Sequence, residues 1–115
     1  MSQPLKSLFG CSQNKIRSLT AEHMLRGVPG FIVKSAGTEP RSRIRVKEGH
    51  IGWADFIFDM EKKHRQILEE NFPDALARKP SIGLNLPDEY GYLEPALIDE
   101  LKAAVSQHIA LPELL

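Results

Sequence analysis

A chain of 115 residues with 42% hydrophobic content can bury one modest core but not two, so residues 1–115 are read as a single domain. Lysine plus arginine and aspartate plus glutamate balance at 15 each, which leaves no global field to attract nucleic acid or an anionic membrane. The one cysteine, Cys11, excludes an internal disulfide framework and a multi-thiolate metal site. No apolar run approaches the ~20 residues that span a bilayer and no signal-peptide pattern opens the chain, so a cytoplasmic protein is expected.

Residues 5–9 carry Leu5, Leu8 and Phe9 and lead into Gly10 and Cys11, which reads as a first strand followed by a polar loop to Arg17. Residues 18–26 are rich in helix formers, with apolar Leu19, Met24 and Leu25, and Gly27 suits a left-handed helix end. Residues 31–35 form a second strand, closed by Ala36, Gly37 and Thr38. A basic, irregular stretch follows.

Residues 54–60 make a third apolar run, and the charged segment 61–71 suits a solvated helix that Pro73 ends. A weaker fourth strand is read at 81–86. Pro95 sits in the first turn of a final helix over 94–109, where Leu97, Ile98, Leu101, Val105 and Ile109 recur at helical spacing. Alternating strands and helices imply right-handed crossovers, hence an α/β three-layer sandwich around a four-stranded parallel sheet. Such sheets bind ligands beyond the carboxyl ends of their strands, and Cys11 lies at that edge.

Five residues, Ser12, Gln13, Asn14, Lys15 and Ile16, separate Cys11 from Arg17 at a strand-to-helix junction. Backbone N–H groups of such a loop can converge as an anion nest, and the helix that follows adds its positive end. The planar fork of Arg17 can pair with two phosphate oxygens and hold them through an in-line transition state. The same positive surroundings favour negative charge on the Cys11 sulfur, the form that attacks phosphorus, and Ser18 is placed to donate its hydroxyl to that sulfur as it leaves. Against this stands a plainer reading: Cys11 as a buried strand-end residue and Ser18 as a helix cap. His23, His50, His64 and His108 lack zinc-motif spacing, and most are read as surface residues; no metal or cofactor is expected.

The run Cys11-Ser12-Gln13-Asn14-Lys15-Ile16-Arg17-Ser18 resembles the phosphate-binding loop of low-molecular-weight protein tyrosine phosphatases, most closely a short predicted-phosphatase branch. The likeness continues through Ala21-Glu22, Ser35-Ala36-Gly37-Thr38, Trp53-Ala54-Asp55 and Met60-Glu61. It implies that Asn14 holds the loop in its strained shape and that Ser18 supports the thiolate. It implies a general acid within Leu86-Pro87-Asp88-Glu89-Tyr90, where Asp88 is the first candidate and Glu89, standing where the family has proline, the second. Tyr90, and with it Tyr92, matches an aromatic wall beside an aryl phosphate, although either ring can equally cover the core edge.

The function implied is a phosphomonoester hydrolase, chiefly a protein-tyrosine phosphatase, working through a phosphocysteine. A phosphorylated protein or small aryl phosphate is its substrate, and phosphate or sulfate can occupy the loop; no nucleic acid or membrane partner is expected. A non-catalytic phosphate-binding module and a thiol-dependent arsenate reductase remain as alternatives, the latter requiring external thiols because the chain has one cysteine. Arg41, Arg43, Arg45 and Lys47 either steer substrate at the pocket mouth or form a solvated charge run. Asp59, near the end of the third strand, has no role in this scheme.

Overall fold

The alternation of side chains along the first strand, β1 (Leu5–Cys11), decides how the layers assemble. Leu8 packs with Ile51, Ile57, Leu68 and Leu76, whereas the next residue, Phe9, packs with Leu25, Phe58, Leu97, Leu101 and Val105 on the opposite face. These are the two cores of a computed structural model that describes residues 4–109. Four parallel strands, β1 (Leu5–Cys11), β2 (Phe31–Gly37), β3 (Phe56–Asp59) and β4 (Ser81–Gly83), lie in the order β2-β1-β3-β4. Helices α1 (Arg17–Leu25) and α5 (Pro95–Ser106) cover one face; α2 (Glu48–Trp53), α3 (Lys62–Asn71) and α4 (Pro73–Ala77) cover the other. The result is the three-layer α/β sandwich expected from the alternating pattern.

Phe9 and Phe58 stack across neighbouring strands with ring centroids 4.8 Å apart. Each such fully buried side chain contributes roughly 1.5–3 kcal/mol, so packing rather than intrinsic propensity holds helices as short as α2 and α4. Gly27 closes the α1 connection at φ 81, a backbone region that costs glycine little. Among the described residues, no helix is long and apolar enough to cross a membrane.

Several boundaries differ from the sequence reading, among them β3, which spans Phe56–Asp59 rather than 54–60, and α5, which ends at Ser106 rather than at 109. The basic stretch contains α2, and Pro73 begins α4 rather than ending the helical unit, because proline is well suited to a first helical turn. Strand β4 stops at Gly83, since Asn85 adopts a left-handed φ of 56. Because β1 lies between β2 and β3, the chain crosses the sheet in one direction and then the other. The carboxyl ends of β1 and β3 therefore frame a crevice at the reversal, and Cys11 ends β1 there.

Candidate active site

The loop after β1 is shaped by where its carbonyls go. The Cys11 carbonyl accepts from Thr38 N–H (2.9 Å), Ser12 from Glu39 N–H (3.0 Å) and the Ser42 hydroxyl (2.9 Å), and Gln13 from Arg43 N–H (2.9 Å). The Asn14 carbonyl accepts from Arg43 Nε at 3.1 Å. Four successive carbonyls are thus held by the segment after β2. In trans peptides the N–H opposes the carbonyl, so the amides of Ser12, Gln13, Asn14 and Lys15 are turned away from that segment. This is the geometry of an anion nest at the start of α1.

Asn14 occupies the left-handed region at φ 58, where asparagine is tolerated, and its Nδ2 donates to Ser18 Oγ at 2.8 Å. Ser18 Oγ in turn lies 2.9 Å from Cys11 Sγ. With Nδ2 already donating to Oγ, the serine proton is available to the sulfur. All three residues are buried, so the chain of contacts is shielded from water.

Arg17 is 3% exposed, yet its guanidinium lines the cavity above Cys11. Nη1 donates to the Leu86 carbonyl at 2.7 Å and lies 3.2 Å from Glu61 Oε2, while Nε is 3.9 Å from Asp88 Oδ1. Loops after β3 and β4 therefore orient one cation from two directions. Burial alone would push the Glu61 carboxyl up, but Arg17, together with Lys63 at 3.3 Å, outweighs this and holds it below its ordinary value. The cavity measures about 270 Å3 and is bounded by Cys11, Ser12, Gln13, Lys15, Ile16 and Arg17 on the loop side and by Glu39, Lys63 and Asp88 at the mouth.

The chain is 30% identical over 96 residues to a protein-arginine-phosphatase of Geobacillus stearothermophilus, an alignment covering 63% of this chain and 65% of that relative's length. The YwlE arginine phosphatase from the same organism superposes with a TM-score of 0.73 at 25% identity, covering 90% of both chains. The chain is similar in sequence to this phosphatase and shares the fold of low-molecular-weight protein tyrosine phosphatases. Its fold is also that of the tyrosine phosphatase Wzb from Escherichia coli K30, solved in complex with phosphate, at TM-score 0.71, 18% identity and 89% and 94% coverage. Wzb of Vibrio vulnificus in complex with benzylphosphonate follows at 0.66, 20% identity and 90% and 92% coverage. No protein-family model matches the chain.

Of the residues that the family resemblance singles out, Cys11, Ser12, Gln13, Lys15, Ile16, Arg17 and Asp88 meet at the cavity, with Asn14 and Ser18 buried directly behind them. Asp88 is exposed and borders the cavity; neighbouring Glu89 does not. Tyr90 packs against the core beside α5 and is not part of the lining, and Tyr92 meets the His23 ring edge-on and hydrogen-bonds its Nδ1. None of Arg41, Arg43, Arg45 and Lys47 reaches the cavity; Arg43 instead anchors loop carbonyls.

Four residues around the cavity escaped sequence reasoning. Glu39 and Lys63 line it, Glu61 orients Arg17, and His64, given no role from the sequence, is completely buried with Nε2 2.8 Å from Ser12 Oγ. The available signal was the Glu61-to-His64 spacing at a helix start, a capping arrangement in which Glu61 N–H donates to His64 Nδ1 at 3.0 Å.

Proposed function

We propose that this chain is a cysteine-dependent phosphomonoesterase that works through a phosphocysteine, with protein phosphotyrosine as its principal substrate class. The observation that carries the reading is the joint placement of Cys11 Sγ, bonded to the Ser18 hydroxyl at 2.9 Å, and the buried Arg17 guanidinium in one cavity bordered by Asp88.

The phosphoryl group binds to the loop amides and to Arg17, whose charge persists as the equatorial oxygens gain negative character. The Cys11 thiolate attacks phosphorus in line; the S–P bond forms as the P–O bond breaks, and Asp88 donates a proton to the departing oxygen. Water then attacks the phosphocysteine and gives its proton to the Asp88 carboxylate, while the sulfur leaves as thiolate, stabilised by the Ser18 hydroxyl. Glu61 and the Leu86 carbonyl act earlier, by fixing the direction of Arg17.

A second substrate class, protein phosphoarginine, is favoured by a specific observation. Glu39 and Asp88 place two carboxylates at the mouth, suited to a guanidinium, whereas Tyr90 turns to the core instead of flanking a phenyl ring. The sequence similarity to a protein-arginine-phosphatase adds support. Phosphate release from matched peptides bearing phosphotyrosine or phosphoarginine separates the two. Faster release from phosphotyrosine is expected, a preference for phosphoarginine replaces it with the second class, and release from neither contradicts both.

A further inference from the structure

His64 sits in the first turn of α3, 52 residues from the loop it touches, with no solvent exposure. Its Nδ1 receives the Glu61 backbone N–H at 3.0 Å. A backbone amide can only donate, so Nδ1 presents its lone pair and the single proton of the neutral ring resides on Nε2. Nε2–H therefore donates to Ser12 Oγ at 2.8 Å. Burial above all, and then the charge of Arg17, pushes the His64 pKa down to about 4, which keeps this tautomer in place at neutral pH.

A serine hydroxyl that accepts one hydrogen bond still has its own proton to give. Ser12 lines the cavity beside Cys11, where an unanchored hydroxyl would rotate among several orientations. Anchored by His64, its remaining proton is directed without reorganisation when the anion arrives. We propose that the His64–Ser12 pair supplies the phosphate cradle with a fixed hydroxyl donor beyond the loop amides and Arg17. Ser12 touches the bound phosphoryl oxygen; His64 is a positioning residue acting through Ser12. The proposal rests on the phosphatase reading of the cavity but concerns how the anion is held, so it can be tested by binding alone.

The test is a double-mutant cycle read by calorimetric titration of the full chain with inorganic phosphate, alongside kcat and KM for p-nitrophenyl phosphate. Ser12→Ala should weaken phosphate binding about 10-fold, the lower end for one hydrogen bond to a charged group. His64→Asn keeps an acceptor for the Glu61 amide but cannot reach Ser12, and should weaken binding to a similar degree. The double variant should bind no worse than Ser12→Ala, and His64→Gln, which restores a donor near the Nε2 position, should recover part of the loss. A merely structural role for His64 would give none of this coupling. Multiplicative losses in the double variant, or unchanged phosphate affinity in Ser12→Ala, overturn the proposal; the second readout stands even if the His64 variants do not fold. Phosphate binding without hydrolysis would refute the phosphatase reading while the coupling still decides this one, and a wild-type chain that binds no phosphate overturns the donor assignment.

Discussion

Replacing Asp59 with asparagine should stabilise the protein at neutral pH and leave it unchanged in acid. Asp59 lies in the sheet between Gly10 and Gly83, completely buried; Oδ2 accepts from the Ser81 hydroxyl at 3.0 Å, and Oδ1 has no hydrogen-bond partner among the described residues. Burial raises its pKa from 3.8 to about 6, against the opposing Ser81 hydrogen bond and Arg65 charge. The folded state therefore holds this proton more tightly than the unfolded chain does. Stability falls as pH rises from 3.8 towards 6, and the cost is complete above that window. At ~1.4 kcal/mol per decade of affinity the displacement corresponds to a cost of ~3 kcal/mol, an upper bound for the gain in Asp59→Asn. Asparagine keeps the size and an acceptor for Ser81 without the charge. Urea unfolding at pH 7.5 should show a higher midpoint for the variant with an unchanged slope, and the difference should vanish near pH 3.5. A variant no more stable than wild type at pH 7.5, or an equal difference at both pH values, refutes the reasoning.

The other perturbations concern the cavity. Asp88→Asn should slow phosphoenzyme formation from phenyl phosphate by roughly 10²–10⁴-fold and from p-nitrophenyl phosphate far less, because only the more basic leaving group needs the proton; equal losses refute the assignment, and the same dependence in Glu89→Gln instead moves the acid by one residue. A Cβ at Gly37 would lie 2.7 Å from the Ser12 carbonyl and 2.6 Å from Ser42 Cβ. Gly37→Ala should therefore cost about 1–3 kcal/mol by overpacking and weaken phosphate binding by displacing the loop; thermal melts and phosphate titration unchanged from wild type would contradict this.

The parts of the fold legible in the sequence are those with strong local patterns. The apolar run before Cys11, the helix formers after Arg17 and the spacing of Leu97, Leu101 and Val105 identify β1, α1 and α5, because burying one face demands that periodicity. Helix α2 was hidden: its six residues include Gly49 and Gly52, and its helicity depends on packing Ile51 into the core. The loop from Cys11 to Arg17 declared its chemistry through residue types, but the partners that shape it are distant in sequence. Arg43 meets the loop after one crossover, Glu61 and His64 after two and Leu86 after three, and no local pattern predicts such meetings. Tyr90 illustrates the reverse limit. Its position in the sequence suited a pocket wall, and the choice between pocket and core depended on the path of the chain into α5.

The central claim, a covalent phosphocysteine at Cys11, is tested most directly by rapid acid quench of the protein with ³²P-labelled substrate, comparing wild type with Cys11→Ser. The account predicts a labelled wild-type protein whose label is acid-trapped on Cys11 and released as phosphate on turnover. It predicts no turnover in Cys11→Ser, although that variant still binds phosphate through the loop amides and Arg17. Hydrolysis that persists in Cys11→Ser, or wild-type turnover with no label on Cys11, would contradict it.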